Sequence, residues 1–593
     1  DFKLHYFLGD TELSVEEWRA LTRGPAGLRF VGGRWIEFDP ASHQELLHAF
    51  ERAEAAAAAG QVGFVEGVRL LAGLPGDPDD ASDDPPPWSV AEPGPWLART
   101  LAELQSPAGS PDTDPGPALR GDLRPYQREG VAWLWLLSRL GVGGCLADDM
   151  GLGKTIQVIG LLLLLRRHGE PGPHLIVLPA SLLANWRAEI ERFAAELRLF
   201  TAHRSVSDLD EPPDLAAVDV VLTTYATLLR QPWLLEREWG LLVLDEAQAI
   251  KNAAAKQTRA AKALRGRHRL ILTGTPVENS LHDLWSLFDF ANPGLLGGAA
   301  EFRAFTRRLG QDRDGLAPLR ALVRPYILRR LKTERRVIDD LPDKTEIPVY
   351  CGLTRPQAGL YARAVEDLGR ELTGAEGIRR RGVILAFLTR FKQICNHPAQ
   401  FTGDGDYALE ASAKFQRLAE LAAVIHEAGE RALVFTQFRE ICDPLARLLA
   451  GVFGRPGLIL HGGTPVARRP DLVADFQRAD GPPFMVLSLK AGGTGLNLTA
   501  AAHVIHFDRW WNPAVENQAT DRAYRIGQHK NVLVHKFVCR GTLEEKIDAM
   551  LQSKQGLADG VLADDGEQRL TELDTDALMR VVSLDLRAAL NEE

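Results

Sequence analysis

Eight consecutive residues, Asp148-Asp149-Met150-Gly151-Leu152-Gly153-Lys154-Thr155, carry the strongest chemical signal in the chain. Glycines, a lysine and a hydroxyl at this spacing suit a phosphate chain. Backbone N–H groups of the loop and of a following helix point at phosphate oxygens, Lys154 neutralises the β- and γ-phosphates, and the Thr155 hydroxyl sits on Mg²⁺. The usual pattern opens on Gly where Asp148 stands. About ninety residues later the apolar run Leu241-Leu242-Val243-Leu244 meets two carboxylates, Asp245 and Glu246. At the end of a buried strand, Asp245 is expected to hold Mg²⁺ through water, and Glu246 to orient and deprotonate an attacking water. Arg522 and Arg525 are three apart, a spacing that predicts one face of a helix. Set against a phosphate loop, such arginines stabilise transition-state charge, an effect worth about 10³–10⁵ in rate. Gln127 offers the donor and acceptor that reading adenine requires, with ordinary helix capping as the alternative. The hydroxyls of Thr273 and Thr275 are expected to sense the γ-phosphate.

These residues need a scaffold of strands and helices. Leu140–Leu146 reads as the strand before the loop, and Ile156–Arg167 as the helix after it. Short apolar runs follow at 175–178, 218–222, 241–244 and 270–272, separated by helical stretches. That alternation predicts a parallel sheet covered on both faces. A second set begins after residue 411, with strands at 431–438, 458–463, 485–488 and 503–507 and a Gly-rich loop, Lys490–Asn497. The fold class expected is α/β, with two parallel-sheet lobes, helical insertions between them and a small α+β N-terminal domain. The boundaries read from composition are an N-terminal piece at 1–73, a Pro/Asp-rich linker at 74–118, a first lobe at 119–298, helical protrusions at 299–410, a second lobe at 411–555 and an acidic tail at 556–593. Phe30–Glu37 predicts a hairpin around Gly32-Gly33, Leu46–Ala59 a helix, and Trp88 and Trp96 are expected to dock on a neighbouring surface.

A chain of 593 residues exceeds one core, and 45% apolar with 25% charged residues is ordinary globular composition. No signal peptide and no membrane-spanning run is visible. The first residue is Asp, so an upstream piece is expected to be missing. Five scattered cysteines without a C-x-x-C pair fit reduced thiols in a cytoplasmic protein better than disulfides or zinc. The net charge of −10 is unevenly placed. Residues 1–118 hold 20 Asp/Glu against 8 Lys/Arg and 556–593 hold 10 against 3, which leaves 119–555 at +9. A basic middle can meet a phosphate backbone. Arg303, Arg307, Arg308, Arg320, Arg324, Arg329, Arg330, Lys332, Arg335, Arg336 and the run Arg379-Arg380-Arg381 concentrate that charge between the lobes.

In order, the stretches DDMGLGKT, PASLLANW, DEAQAIKN, LTGTPVENSLHDLWSLFDF, ICNHP, VFTQF, LKAGGTGLNLTAA and DRWWNPAVENQATDRAYRIGQ resemble the motif series of Swi/Snf-family ATPases, within the superfamily-2 helicase-like proteins. The resemblance covers about residues 119–555 and implies two RecA-like lobes, with ATP and Mg²⁺ between them and translocation along double-stranded DNA without strand separation. It implies nucleotide contacts at Gln127, at Asp148, Asp149, Met150, Gly151, Leu152, Gly153, Lys154 and Thr155, and at Gly495 and Gln518. Lys154, Asp245, Glu246, Arg522 and Arg525 are the implied catalytic set, with Thr155 and Asp245 at the metal. The arginine-rich region at 299–410 is expected to grip the duplex and brace the lobes. Three positions depart from the family pattern: Asp149 for Glu, Ala502 for an acidic or amide residue, and Tyr524 for a frequent His.

The residues 1–73 resemble, more weakly, the accessory domain of bacterial members, and no histone-reading module is recognisable. The expected protein is a bacterial, cytoplasmic, nucleoid-associated monomer that remodels or displaces protein–DNA complexes. DNA-bound proteins or RNA polymerase are the candidate protein partners, and no membrane is involved. A strand-separating DNA or RNA helicase and a non-catalytic scaffold binding DNA or RNA polymerase are the alternatives.

Overall fold

The computed structural model describes residues 2–8, 11–13, 27–31, 34–38, 89–93, 95–105, 111–170, 172–204, 206–207, 214–253, 255–274, 281–308, 317–332, 342–465, 468–489, 496–555, 571 and 573–590. The chain forms two compact units. One comprises residues 1–148, 153–276 and 281–330, and the other 149–152, 277–280 and 331–593.

At the start of the first unit, β1 (Phe2–Leu8) pairs antiparallel with β2 (Thr11–Leu13). The expected hairpin forms from β3 (Gly27–Val31) and β4 (Arg34–Phe38), antiparallel with Val31 opposite Arg34. The helix expected at Leu46–Ala59 lies outside the described residues. The linker expected at 74–118 is in part ordered structure. Within it, β5 (Ser89–Pro93) pairs antiparallel with β1, and a helix spans Pro95–Gln105. That helix buries Leu97, Thr100 and Leu104. Their spacing makes one stripe, which docks a short helix despite the surrounding prolines. Trp96 is 53% exposed rather than docked, and Trp88 lies outside the described residues.

The main sheet of the first unit is built from β6 (Gly144–Leu146), β7 (His174–Leu178), β8 (Leu199–Ala202), β9 (Val220–Thr224), β10 (Glu238–Asp245), β11 (Arg265–Leu272) and β12 (Ile327–Leu328). The order is β12-β6-β11-β10-β7-β9-β8 and every pairing is parallel. Parallel strands need both faces covered, and β7, β9 and all of β10 beyond Glu238 are buried as expected. The helix Lys154–Arg167 buries every residue from Ile156 to Leu165, so it is a core helix and not an amphipathic one. Arg166 and Arg167 close its last turn, where cations suit the helix dipole.

The second unit carries β13 (Lys344–Cys351), β14 (Ala432–Thr436), β15 (Leu458–Leu460), β16 (Phe484–Ser488), β17 (His503–His506) and β18 (Val532–Cys539). They run in the order β13-β18-β17-β14-β16-β15, again all parallel. The two parallel-sheet lobes expected from the sequence are therefore present.

The separate helical region drawn at 299–410 is not separate. It contributes β12 to one sheet and β13 to the other, and its helices Arg355–Leu372 and Gly377–Asn396 bury Tyr361, Phe387 and Phe391 in the second unit's core. The acidic tail is likewise partly integral. Helix Thr575–Val582 places Leu578 and Val582 in the same core, with Ala589 beyond it. Arg380 fastens this segment by donating to the carbonyls of Thr571 (2.9 Å) and Leu573 (2.6 Å). Three buried apolar side chains outweigh the acidic composition that predicts a tail.

Candidate nucleotide site and arginine segment

Register fixes the first half of the site. Across the carboxyl edge of the first sheet, Asp245 pairs with Leu272, Leu272 with Leu146, and Leu146 with Leu328. The residues after each of these therefore emerge in one row, at the edge where open α/β sheets take ligands. The row holds the phosphate loop, the carboxylates Asp245 and Glu246, and Thr273.

The loop itself is shaped by glycine. Gly151 and Gly153 adopt φ of +85° and +79°, the left-handed region that glycine enters without strain. A Cβ on Gly153 would lie 2.5 Å from Gln127 Nε2, so that close approach also requires glycine. Lys154 opens the 14-residue helix, and its Nζ donates to the Asp148 carbonyl at 2.5 Å. Thr155, half-buried, follows in the first turn.

Asp148 is not a phosphate residue by its side chain. It is fully buried and bonded to Arg330, whose Nε and backbone N–H reach Oδ1 at 2.9 and 3.2 Å and whose second guanidinium nitrogen reaches Oδ2 at 2.5 Å. The reason is again register. Leu328 stands beside Leu146 on parallel strands, so two residues on, Arg330 stands beside Asp148. Gln157 joins the pair, donating to Asp148 Oδ2 (3.2 Å) and accepting from Arg330 (2.8 Å). Arg330 also donates to the Tyr126 carbonyl and lies over the Tyr126 ring. Gly130 makes the space, since a Cβ there would fall 1.8 Å from Gln157 Oε1.

Gln127 takes the capping role named as its alternative. Its Oε1 accepts from the Arg124 N–H (3.0 Å), closing a capping box on helix Pro125–Leu140. Its Nε2 faces the Tyr126 hydroxyl and the loop at Gly153. It is thus beside the loop, with its acceptor already engaged.

Asp245 is held by three neighbours. Trp186 donates its Nε1–H to Oδ2 (2.7 Å), the Glu246 N–H donates to Oδ1 (2.9 Å), and the Tyr225 hydroxyl donates to its carbonyl (2.9 Å). Burial and the adjacent Glu246 charge push its carboxyl up to about 7, while the Trp186 bond and Lys154 pull the other way. Gln248 donates to Glu246 Oε2 (2.8 Å) and accepts from the Thr273 hydroxyl (3.3 Å). Glu246 and Thr273 are thereby joined through one amide. Trp186, Gln248 and Arg330 were not expected at the site. Trp186 and Gln248 lie inside quoted motif stretches, whereas Arg330 had only its place in a basic run. Thr275 lies outside the described residues.

The second unit holds Arg522 and Arg525, with loop residues Asp149–Leu152 grouped in the same unit. The helix expected to carry the arginines ends before them, at Thr520. Their segment is a series of turns, and three of its carbonyls accept bonds outside an i→i+4 ladder. The Arg522 carbonyl accepts from Leu498 N–H (2.9 Å), the Ala523 carbonyl from Gln528 Nε2 (3.1 Å) and the Tyr524 carbonyl from Lys332 Nζ (2.5 Å). Arg522 is buried, with a guanidinium nitrogen 3.7 Å from Met150 Sδ, and Arg525 donates to the Leu496 carbonyl (3.1 Å). Asp149 uses Oδ2 to accept the Lys332 N–H (3.0 Å). Gln518 is half-buried on helix Pro513–Thr520, and Gly495 lies outside the described residues.

The five cysteines are buried and unpaired. Cys395, Cys539 and Glu544 cluster, but Glu544 already accepts from Lys414 Nζ (2.7 Å) and from the Cys539 N–H (3.0 Å). A buried ammonium stands where a cation would have to bind. No helix among the described residues is long and apolar enough to cross a membrane.

The site's donor set suits a nucleoside triphosphate with a divalent cation: glycine-shaped backbone, an ammonium, a hydroxyl at a helix start and two adjacent carboxylates. Residues 126–400 match the SNF2-related domain, 413–527 the helicase conserved C-terminal domain, and 1–71 a domain described as SNF2 helicase protein. YwqA of Bacillus subtilis, provisionally named an ATP-dependent helicase/translocase, is 40% identical over 99% of this chain and 64% of its own length. The Zorya protein ZorD of Escherichia coli is 39% identical over 74% of this chain and 45% of its own. The chain thus spans about half to two thirds of the length of these relatives. Among solved structures, the Sulfolobus solfataricus SWI2/SNF2 ATPase core in complex with dsDNA is 42% identical, covering 79% of this chain and 98% of that one with a TM-score of 0.39. With these motifs on two parallel sheets and matches to both catalytic-domain models, the chain belongs to the SNF2-related family of helicase-like proteins.

Proposed function

We propose that the chain is a DNA-stimulated ATPase that moves along double-stranded DNA and displaces or remodels bound protein, without separating the strands. The observation that carries the reading is the single row at the first sheet's edge, where strand register brings together phosphate loop, paired carboxylates and Thr273. The name of the relative YwqA, helicase/translocase, supports ATP-driven movement on nucleic acid. The +9 balance of residues 119–555 supports a polyanionic track.

In this reading the loop N–H groups and Lys154 hold the phosphates, while Thr155 and Asp245 hold Mg²⁺. A divalent cation held by these two residues would supply neutralising charge for phosphoryl transfer. Glu246 orients the attacking water and accepts its proton, and the bond through Gln248 reports its position to Thr273. Arg522 and Arg525 supply positive charge in the transition state. ATP hydrolysis would then alternate the two units on the duplex. The N-terminal domain and the displaced protein, RNA polymerase among the candidates, belong to the same proposal, as does action as a bacterial monomer at the nucleoid.

The test is Glu246→Gln. It removes the base and leaves the cradle, so turnover should vanish with ATP binding retained. Normal hydrolysis by this variant would remove Glu246 from the mechanism. Parallel assays with duplex DNA, single-stranded DNA and RNA should show greatest stimulation by duplex. Affinity for DNA should fall with salt at a slope of about −0.9 per phosphate neutralised. Release of a labelled strand in a displacement assay would establish the helicase alternative instead.

A further inference from the structure

The chain leaves the first unit at Arg330 and enters the second at Leu331. A buried cation stands on each side of that crossing. Arg330 is fixed on Asp148, the first residue of the phosphate loop. Lys332, 5% exposed, donates from Nζ to Asp521 Oδ1 at 2.9 Å and to the Tyr524 carbonyl at 2.5 Å, and the ammonium lies 5.2 Å from the centre of the Tyr524 ring. Asp521 and Tyr524 bracket Arg522, and Tyr524 immediately precedes Arg525.

We propose that Lys332 is a positioning residue for Arg522 and Arg525. Its ammonium holds the turn that carries both arginines. The proposal rests on the ATPase reading above and extends it to a residue outside the expected catalytic set.

Three features of the contact support it. First, the ammonium bonds a backbone carbonyl, that of Tyr524, inside the turns that carry both arginines, so it holds the local backbone path as well as a side chain. Second, the position is costly for a lysine. Burial works against its charge and the Asp521 carboxylate works for it, so the cation is retained where an apolar side chain would fill the space more cheaply. Third, two hydrogen bonds of the ammonium go to one short stretch, residues 521–524, and the aromatic face of Tyr524 receives the same charge. The tyrosine that departs from the family pattern is therefore part of the clamp.

Lys332→Met keeps the aliphatic stem and removes the cation. A reacting group misplaced by about 1 Å costs on the order of 10²-fold in rate, so turnover should fall by about that factor while nucleotide affinity stays at the wild-type value. Lys332→Arg, which keeps the cation, should recover part of the loss. The discriminating measurement is a double-mutant cycle with Arg522→Ala in single-turnover hydrolysis, with folding checked by thermal melting. If Lys332 acts through the arginines, its removal should cost little further rate once Arg522 is gone. Equal factors in both backgrounds would show a general structural loss and overturn the proposal, as would full turnover in a folded Lys332→Met. Should Lys332→Met fail to fold, Asp521→Asn carries the same cycle from the more exposed side of the bond, with the same two overturning results. A wild-type protein that binds ATP without hydrolysing it would instead fail the ATPase reading itself, and this inference with it.

Discussion

Replacing Asp148 by Gly would give the phosphate loop the opening residue of the usual pattern, yet the structure requires that the change be harmful. Asp148 has no solvent exposure and Arg330 is 8% exposed. Arg330 meets both carboxylate oxygens, and Gln157 bonds each partner. Deleting the carboxylate leaves a buried guanidinium whose remaining counter-charge is the exposed Glu129 carboxylate at 4.0 Å, and breaking a buried pair in this way costs about 3–5 kcal/mol. For a domain of this size each kcal/mol moves the melting temperature by roughly 2–4 °C, so the first unit should melt about 6–20 °C lower. The double variant Asp148→Gly/Arg330→Met removes both charges and should regain much of the loss, because a buried pair replaced as a whole is often nearly neutral. Calorimetry can follow the first unit's transition in the wild type, each single variant and the double. A single variant melting with the wild type, or a double variant as unstable as the sum of the singles, would refute the pairing argument.

Two further outcomes are expected in the second unit. Burial holds His506 and His535 down to about 4, against an unfolded value of about 6.5, so the unfolded chain binds more protons between those limits. Their contribution is full above pH 6.5 and is lost as pH falls toward 4; urea unfolding at pH 7 and pH 5 should show the drop, and His535→Gln should flatten it, whereas an unchanged pH slope would count against His535. Ending the chain at Gln555 removes Leu578 and Val582 from the core, where each buried side chain contributes about 1.5–3 kcal/mol. The shortened chain should unfold at lower denaturant by roughly 3–6 kcal/mol of stability, and an unchanged midpoint would mean the segment does not pack as described.

What the sequence made legible was local. The phosphate-loop stretch, the Asp245-Glu246 pair and nine strands of the two parallel sheets are short signals whose residues are neighbours in the chain, and each lies at the position the sequence marks. What was hidden depends on partners far away. Asp148 reads as a loop residue because its partner Arg330 lies 182 residues on. β12 has two residues and joins a sheet whose other strands end at Leu272, so no periodicity marks it. Composition also misled in both directions. Prolines concealed the stripe of Leu97, Thr100 and Leu104, and carboxylates concealed Leu578 and Val582. The turns at Arg522 and Arg525 were beyond a spacing argument. An i,i+3 spacing fits a helix, and here the two arginines lie in turns whose carbonyls accept from the distant Leu498 and Lys332 and from Gln528.

Two acidic sites now lie a short way apart on the same sheet edge, and their physical states differ in a way that separates scaffold from chemistry. Asp148 is burdened by burial but met by a guanidinium on both oxygens, which is how a structural carboxylate is made tolerable. Asp245 is buried against neutral donors, Trp186 and the Glu246 N–H, with a second carboxylate next in the chain raising its pKa further. Glu246 adds backbone strain. Its φ of 48° is the one left-handed non-glycine value among the described residues, a conformation costing about 1–2 kcal/mol in an L-residue. Glycine or asparagine would hold that turn with less strain, and an apolar residue would relieve the repulsion on Asp245. Neither relief is taken, and the flanking strand Leu241–Leu244, wholly buried, keeps both carboxylates at the edge against these costs. Strain at Glu246 and a raised Asp245 carboxyl, only partly offset by Lys154, support the role proposed for this pair at a cation and a reacting water, whereas the fully paired Asp148 supports a framing role.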